Sequence, residues 1–377
     1  MKTRQIYLDF NASTPIAPEV GEAMKPFLSQ HFGNPSSLHW AGGPAKEAIE
    51  HARRQVAELL ECSPSEIVFT SGGSESNNHA IKGVFFALKE KGTHIIATQI
   101  EHPAVINPCR FLERLGAEVT FVGVDHYGMV DPEEIGKAIT SKTILISVMH
   151  ANNEVGTIQP VEDISKIAKQ RGILFHTDAA QSVGKIETKV DELGVDLLSV
   201  AGHKLYAPKG VGALYIRDGT FIEPFIHGAG HESGRRAGTE NILLIIGLGK
   251  ACQIAKRYLD DTGILELRDR FWEMIQEKFG EEIVLNGHPA RRLPNTLNVS
   301  FIQRAGSEIL ARLDGVAAST GAACHSGSVE LSPVLKAMGI PPEIGMGAIR
   351  FSLGRTTTIE ELKAVVKTLR KILAKNI

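Results

Sequence analysis

Cysteine is scarce. The 377 residues hold four thiols, Cys62, Cys109, Cys252 and Cys324, too widely separated for a zinc clip or a dense disulfide framework, so each must be judged alone. Long apolar runs are missing as well. The longest, Ile242 to Gly249, ends at Lys250 and falls far short of the roughly 20 residues a membrane-crossing helix needs. The opening residues carry Asp9 where a secretory leader would be apolar, and no targeting signal is legible, so a cytoplasmic protein is expected. Neither sign of charge dominates: 41 Lys and Arg face 43 Asp and Glu, for a net charge of −2. Without a long run of like charge, nucleic acid and anionic membranes are poor partners. No internal repeat or low-complexity tract is present.

The chain is long enough to exceed what one hydrophobic core usually organises, which favours a large domain with a smaller companion. From about residue 45 to 216 helical and strand patterns alternate. Ala48, Ile49, Ala52, Val56, Leu59 and Leu60 recur at helical spacing, and Ile67 to Thr70 then forms a short strand. The rhythm continues through His94 to Thr98, Val119 to Val124, Thr143 to Val148, Ile173 to Asp178, Asp196 to Val200 and Val211 to Ile216. Helices such as Val161 to Gln170, opened by Pro160 and ended near Gly172, fill the gaps. This pattern predicts an α/β domain with a mainly parallel sheet, whose ligands lie at the carboxyl ends of the strands. Beyond about residue 260 a helix, the stretch Thr296 to Phe301 and further helices ending in Leu362 to Leu373 read as a second, α+β domain. We place the large domain at 15–259 and the small one at 1–14 together with 260–377.

Polar residues gather directly after the strands, in five segments: SGGSESNN (71–78), EHP (101–103), ANNE (151–154), HTDAAQ (176–181) and AGHKLY (201–206). The first reads as a glycine turn and helix start, where backbone N–H groups around Gly73 and the Ser74 hydroxyl suit a phosphate. Asp178 ends a very apolar strand, so its carboxylate calls for a partner. Lys204 follows another apolar strand, and a lysine in low-dielectric surroundings loses its proton and becomes a nucleophile toward a carbonyl. Singly these are an ordinary helix start, a capped strand end and a surface lysine. Together, a phosphate cradle, a buried carboxylate, an imine-forming lysine and the ring of His102 are what an aldehyde-bearing pyridine phosphate requires. His227 and His231 are spaced like helical metal ligands, but Gly228 and Gly230 argue against a helix, so no metal is expected. The glycines at 247 and 249 precede Lys250 without the spacing of a nucleotide-binding loop.

At this point the sequence resembles the NifS and IscS-type cysteine desulfurases, within the fold-type I pyridoxal-phosphate enzymes. The likeness runs nearly end to end, from YLDFNASTP (7–15) and GNPSS (33–37) through the five segments to RRAGTEN (235–241), GAACHSG (321–327) and IRFSLGR (349–355). The resemblance implies that Lys204 binds pyridoxal 5'-phosphate covalently and Asp178 pairs with its ring nitrogen. It implies that Gln181 and Asn153 lie near the ring hydroxyl and that His102 stacks on the ring. The phosphate would meet Gly73, Ser74 and His203, with Thr239 arriving from the second subunit of a homodimer. Many relatives have serine where this chain has Ala201, so one phosphate hydrogen bond is missing. Arg350, assisted by Asn34, would grip the carboxylate of L-cysteine, and Asn153 would also contact the substrate. Cys324 lies among small residues from Ser319 to Ser328, a stretch that reads as a mobile loop. By resemblance its thiolate takes the substrate sulfur as a persulfide, leaving alanine. Its distance in sequence from Arg350 matches the class whose cysteine swings out to a sulfur-acceptor or scaffold protein. Selenocysteine lyase, acting on L-selenocysteine with the same machinery, is the neighbouring alternative. Cys62, Cys109 and Cys252 have no such setting and read as buried thiols.

Overall fold

The computed structural model describes residues 5–374 apart from 321, 326 and 327, with the backbone alone at 322–325, 328 and 329. The alternating strands assemble into a seven-stranded sheet in the order Ile67–Thr70, Gly212–Ile216, Leu197–Ala201, Leu174–Asp178, Thr143–Ser147, His94–Thr98, Glu118–Val122. All pairings are parallel except those of Gly212–Ile216, which runs antiparallel to both neighbours. The cause is the connection: no α-helix separates Leu197–Ala201 from Gly212–Ile216, and a parallel return needs a long crossover. Three of the strands expected from sequence, Ile67–Thr70, His94–Thr98 and Thr296–Phe301, have the expected bounds, as does the helix Val161–Gln170.

Helices cover both faces of this sheet. The helices Gly42–Leu60, Val161–Gln170 and Ile242–Lys256 enclose one apolar cluster, while Gly73–Leu88 and Pro103–Glu113 close the other face. Gly249 explains itself here, because a Cβ would lie 2.6 Å from the Ala52 Cα. It permits two helices to pack closely, which is a structural task and not phosphate binding.

A second, antiparallel sheet of four strands has the order Ser319–Thr320, Ala348–Ser352, Thr296–Phe301, Ile283–Asn286. It packs against the helices Gly263–Phe279 and Ile359–Ala374 around Phe271, Phe301 and Phe351. The chain start joins it: Ile6–Tyr7 pairs with Val316–Ala317, Asp9 bridges to Ser352, and Leu8 is buried in the same cluster. The stretch Ser319 to Ser328, read from its small residues as a mobile loop, contains strand backbone. Ala322–His325 pairs antiparallel with Ser328–Leu331, Cys324 opposite Val329, so ladder hydrogen bonds override the small-residue composition. The Cys324 side chain, and with it the thiol's place relative to the rest of the site, lies outside the described residues. No described helix is long and apolar enough to cross a membrane.

Candidate active site

Each of the five polar segments leaves a strand at its carboxyl end, and together they wall a cavity of about 710 Å³. Gly73, Ser74, His102, Asn153, Asp178, Gln181, His203, Lys204 and Arg350 all line it. The helix Gly73–Leu88 begins at its edge. Gly72 precedes it with φ of 146°, a backbone only glycine adopts readily, and a Cβ on Gly73 would come within 3.2 Å of the Ala201 Cβ. The first N–H groups of a helix have no internal acceptor, so this turn offers donors and the positive end of the helix dipole to an anion. Ala201, buried at the end of its strand, presents a methyl group there and no donor.

Asp178 is buried, and both of its oxygens are occupied by neutral donors: Ala180 N at 2.9 Å and Asn77 Nδ2 at 2.7 Å. Among the described residues it has no ion pair, which is the environment a carboxylate needs in order to receive an N–H from a bound cation. Lys204 is half-buried, and its Nζ donates to the backbone oxygens of Asn11 and Ala12. Burial, helped by the Arg350 charge and opposed by Asp178 and Asp9, pushes this amine down to about 8. Burial and the charges of Lys204 and Lys209 push His203 down to about 4, so it is neutral at physiological pH. The His102 Nδ1 accepts from Ala104 N at 3.1 Å, which leaves the neutral ring's proton on Nε2. Next to it Glu101 is buried, and its Oε1 accepts from Thr98 Oγ1 at 2.6 Å and Met149 N at 2.9 Å, anchoring the turn that carries the histidine.

Arg350, in the middle of the second sheet, reaches the cavity from the opposite side. It donates to Asn153 O at 2.9 Å and to Asp9 Oδ1 at 2.6 Å. Its Nε is buried and has no partner among the described residues, so the planar fork keeps donors in reserve for a carboxylate.

Two expected residues lie elsewhere in this chain. Asn34 is exposed and spends its side chain on a local turn, Oδ1 accepting from Ser36 N at 2.9 Å, and it does not line the cavity. Thr239 is also exposed and borders a neighbouring hollow of about 240 Å³ that shares Ser71, Gly210 and Val211 with the main cavity. Its segment is held beside the helix start by Arg236, whose Nε donates to Glu75 Oε1 at 2.8 Å.

The sequence reading missed Asn11, Asn77, Asp9 and Lys185. Asn11 is 1% exposed and joins the two sheets: its Nδ2 donates to Thr296 Oγ1 at 2.8 Å, its N to Ser352 Oγ at 2.9 Å, and its backbone oxygen accepts from Gln181 and Lys204. Asn77 sits inside SGGSESNN, and Asp9 and Asn11 inside YLDFNASTP, so the signal was a short polar residue within an otherwise apolar or glycine-rich segment. The other three thiols do not line the cavity. Burial pushes Cys62, Cys109 and Cys252 up to about 12.

Residues 6–365 match the model of the aminotransferase class-V family. A cysteine desulfurase IscS from Dictyoglomus turgidum is 53% identical over 99% of this chain and 95% of its own length. Among solved structures, a NifS-like protein superposes with a TM-score of 0.92 at 40% identity, covering 98% of this chain and all of that one. The structure described as SspA in complex with cysteine gives 0.83 at 40% identity over 92% of this chain and 98% of its own.

Proposed function

Because the chain belongs to the aminotransferase class-V family, we propose that it is a pyridoxal-phosphate-dependent cysteine desulfurase, converting L-cysteine to L-alanine and passing the sulfur to acceptor proteins. The observation that carries this reading is the convergence on one cavity of a depressed amine, a buried carboxylate with no cation beside it among the described residues, and an open helix N-terminus. These residues fit pyridoxal 5'-phosphate: Gly73, Ser74 and His203 for the phosphate, Asp178 for the ring nitrogen, Gln181 and Asn153 for the ring oxygen, His102 for the ring face. When bound, that group supplies an aldehyde for covalent attachment and an electron-accepting ring.

Each residue of the chain then has a defined task. Lys204, with its proton affinity lowered by burial, provides an unprotonated amine near neutrality and carries a proton to or from the substrate Cα. Asp178 keeps a positive charge opposite itself, held in place by Asn77 and Ala180. Arg350 binds the substrate carboxylate with the donors that Asp9 and Asn153 leave free, and this fixes the orientation of the cysteine side chain. The Cys324 sulfur attacks the substrate sulfur: an S–S bond forms, the substrate C–S bond breaks, and a proton from solvent completes alanine. The persulfide left on Cys324 is the form in which sulfur leaves for an acceptor.

Thr239 and Asn34, each exposed and outside the cavity of its own chain, are assigned to a two-fold interface, with Thr239 completing the phosphate site of the partner. The test is turnover of L-cysteine by the loaded protein, with alanine and sulfide measured together and L-selenocysteine run alongside. Equal amounts of alanine and sulfide are expected in the presence of a thiol reductant. Turnover of selenocysteine alone would overturn the assignment in favour of a lyase.

A further inference from the structure

Gln181 and Lys204 do not meet the cavity independently, because a second lysine with no part in the chemistry above stands behind them. Lys185 Nζ donates to Gln181 Oε1 at 2.9 Å and to Asn11 Oδ1 at 3.1 Å. Gln181 Nε2 in turn donates at 3.0 Å to the Asn11 backbone oxygen, the same atom that accepts from Lys204. Among the described residues no carboxylate pairs with Lys185. The charged and titratable groups around the two lysines are Arg350, Asp9, Asp178, His102 and His203. Two acceptors and no counter-ion satisfy an amine whose role is to donate hydrogen bonds rather than to balance a charge.

The two ends of a glutamine amide have nearly the same shape, and only their partners tell them apart. Here Lys185 demands the oxygen and the Asn11 carbonyl demands the nitrogen. Among the described residues the second N–H of Gln181 has no acceptor, and this donor sits on a residue that lines the cavity.

We propose that Lys185 is a positioning residue, which holds the Gln181 amide so that an N–H and not an oxygen faces the ring oxygen of the cofactor. The proposal rests on the cofactor reading given above. Without Lys185 the amide oxygen loses its partner and only the Asn11 carbonyl still orients the group, so the N–H is held less firmly toward the electron-rich oxygen of the ring. A donor at that ring oxygen weakens the oxygen's hold on the proton shared with the neighbouring nitrogen, so losing the donor raises the pH at which that proton leaves.

The experiment uses pyridoxal-phosphate-loaded wild type, Lys185→Met, Gln181→Leu and the double variant, and reads the pH midpoint of the visible absorption band. Lys185→Met is expected to raise the midpoint by about one pH unit, a tenfold change in proton affinity. Gln181→Leu should raise it similarly, and the double variant no further than Gln181→Leu alone, since one residue acts through the other. Lys185→Arg, which keeps the donors, should stay near wild type. An unchanged midpoint in Lys185→Met, or shifts that add in the double variant, would overturn the proposal. Lys185→Leu carries the same expectation and the same refutation if the methionine variant does not fold. A wild-type protein that takes up no visible band overturns the cofactor reading itself, a result distinct from a yellow wild type and a variant that titrate alike.

Discussion

The most direct physical test of the site needs no catalysis, only the proton affinity of the Lys204 amine. Burial, with Arg350 adding to it, brings this amine from an ordinary 10.5 down to about 8. At pH 7.5 an amine with a midpoint near 8 is about one-quarter unprotonated, against about one part in a thousand for one at 10.5, so Lys204 gains roughly 200-fold in reactive amine. Competitive acetylation of the cofactor-free protein with trace reagent from pH 6 to 11, followed by peptide mass spectrometry, reads this directly, with exposed Lys209 as an internal reference. The Lys204 labelling should rise and level off around pH 8. In Arg350→Gln the midpoint should move upward, because the second-largest contributor to the depression is gone. The sign also reaches stability: between about 8 and 10.5 the unfolded chain holds more protons at this site than the folded one, so the cofactor-free protein gains stability as pH rises through that window. A Lys204 midpoint near 10.5 would refute the reasoning, as would a borohydride-reduced pyridoxyl adduct mapped to Lys209 and not to Lys204.

Cys324→Ser is expected to bind cysteine and alter the visible spectrum as wild type does, yet form no alanine from it, since a hydroxyl is a far weaker nucleophile at neutral pH; undiminished alanine formation would remove Cys324 from the mechanism. Ala201→Ser, placed at the strand end beside Gly73, should restore a phosphate hydrogen bond of about 1.5–3 kcal/mol at most, seen as tighter retention of the cofactor on dialysis. Glu232→Gln breaks a buried pair in which Arg53 donates at 2.7 and 2.8 Å while Phe69 N donates at 2.8 Å, and it should destabilise the fold by about 3–5 kcal/mol, read by thermal unfolding of the cofactor-free protein.

Local rules reach far into this protein. Apolar runs bounded by glycine and proline mark Ile67–Thr70, His94–Thr98 and the helix Val161–Gln170 residue for residue, because strand length, helical period and helix starts are written in near neighbours. The gathering of polar residues at the strand ends was legible for the same reason: Asp178 ends an apolar strand, and Gly73, His102 and Lys204 follow one within four residues, where an α/β sheet collects its ligands. What lies beyond that reach depends on contacts between distant segments. The antiparallel Gly212–Ile216 and the pairing of Ala322–His325 with Ser328–Leu331 are matters of hydrogen-bond partners, which composition does not specify. Within its own chain Asn34 spends its side chain on a turn and stands apart from the cavity. Asn11 became the centre of the site only when Thr296, Ser352, Gln181, Lys185 and Lys204 met around it. The sequence alone determined which side chains were available and at the ends of which strands they stand. The tertiary structure decided their proton affinities and partners, because burial and the field of Arg350 on Lys204 arise only when the second sheet closes over the first.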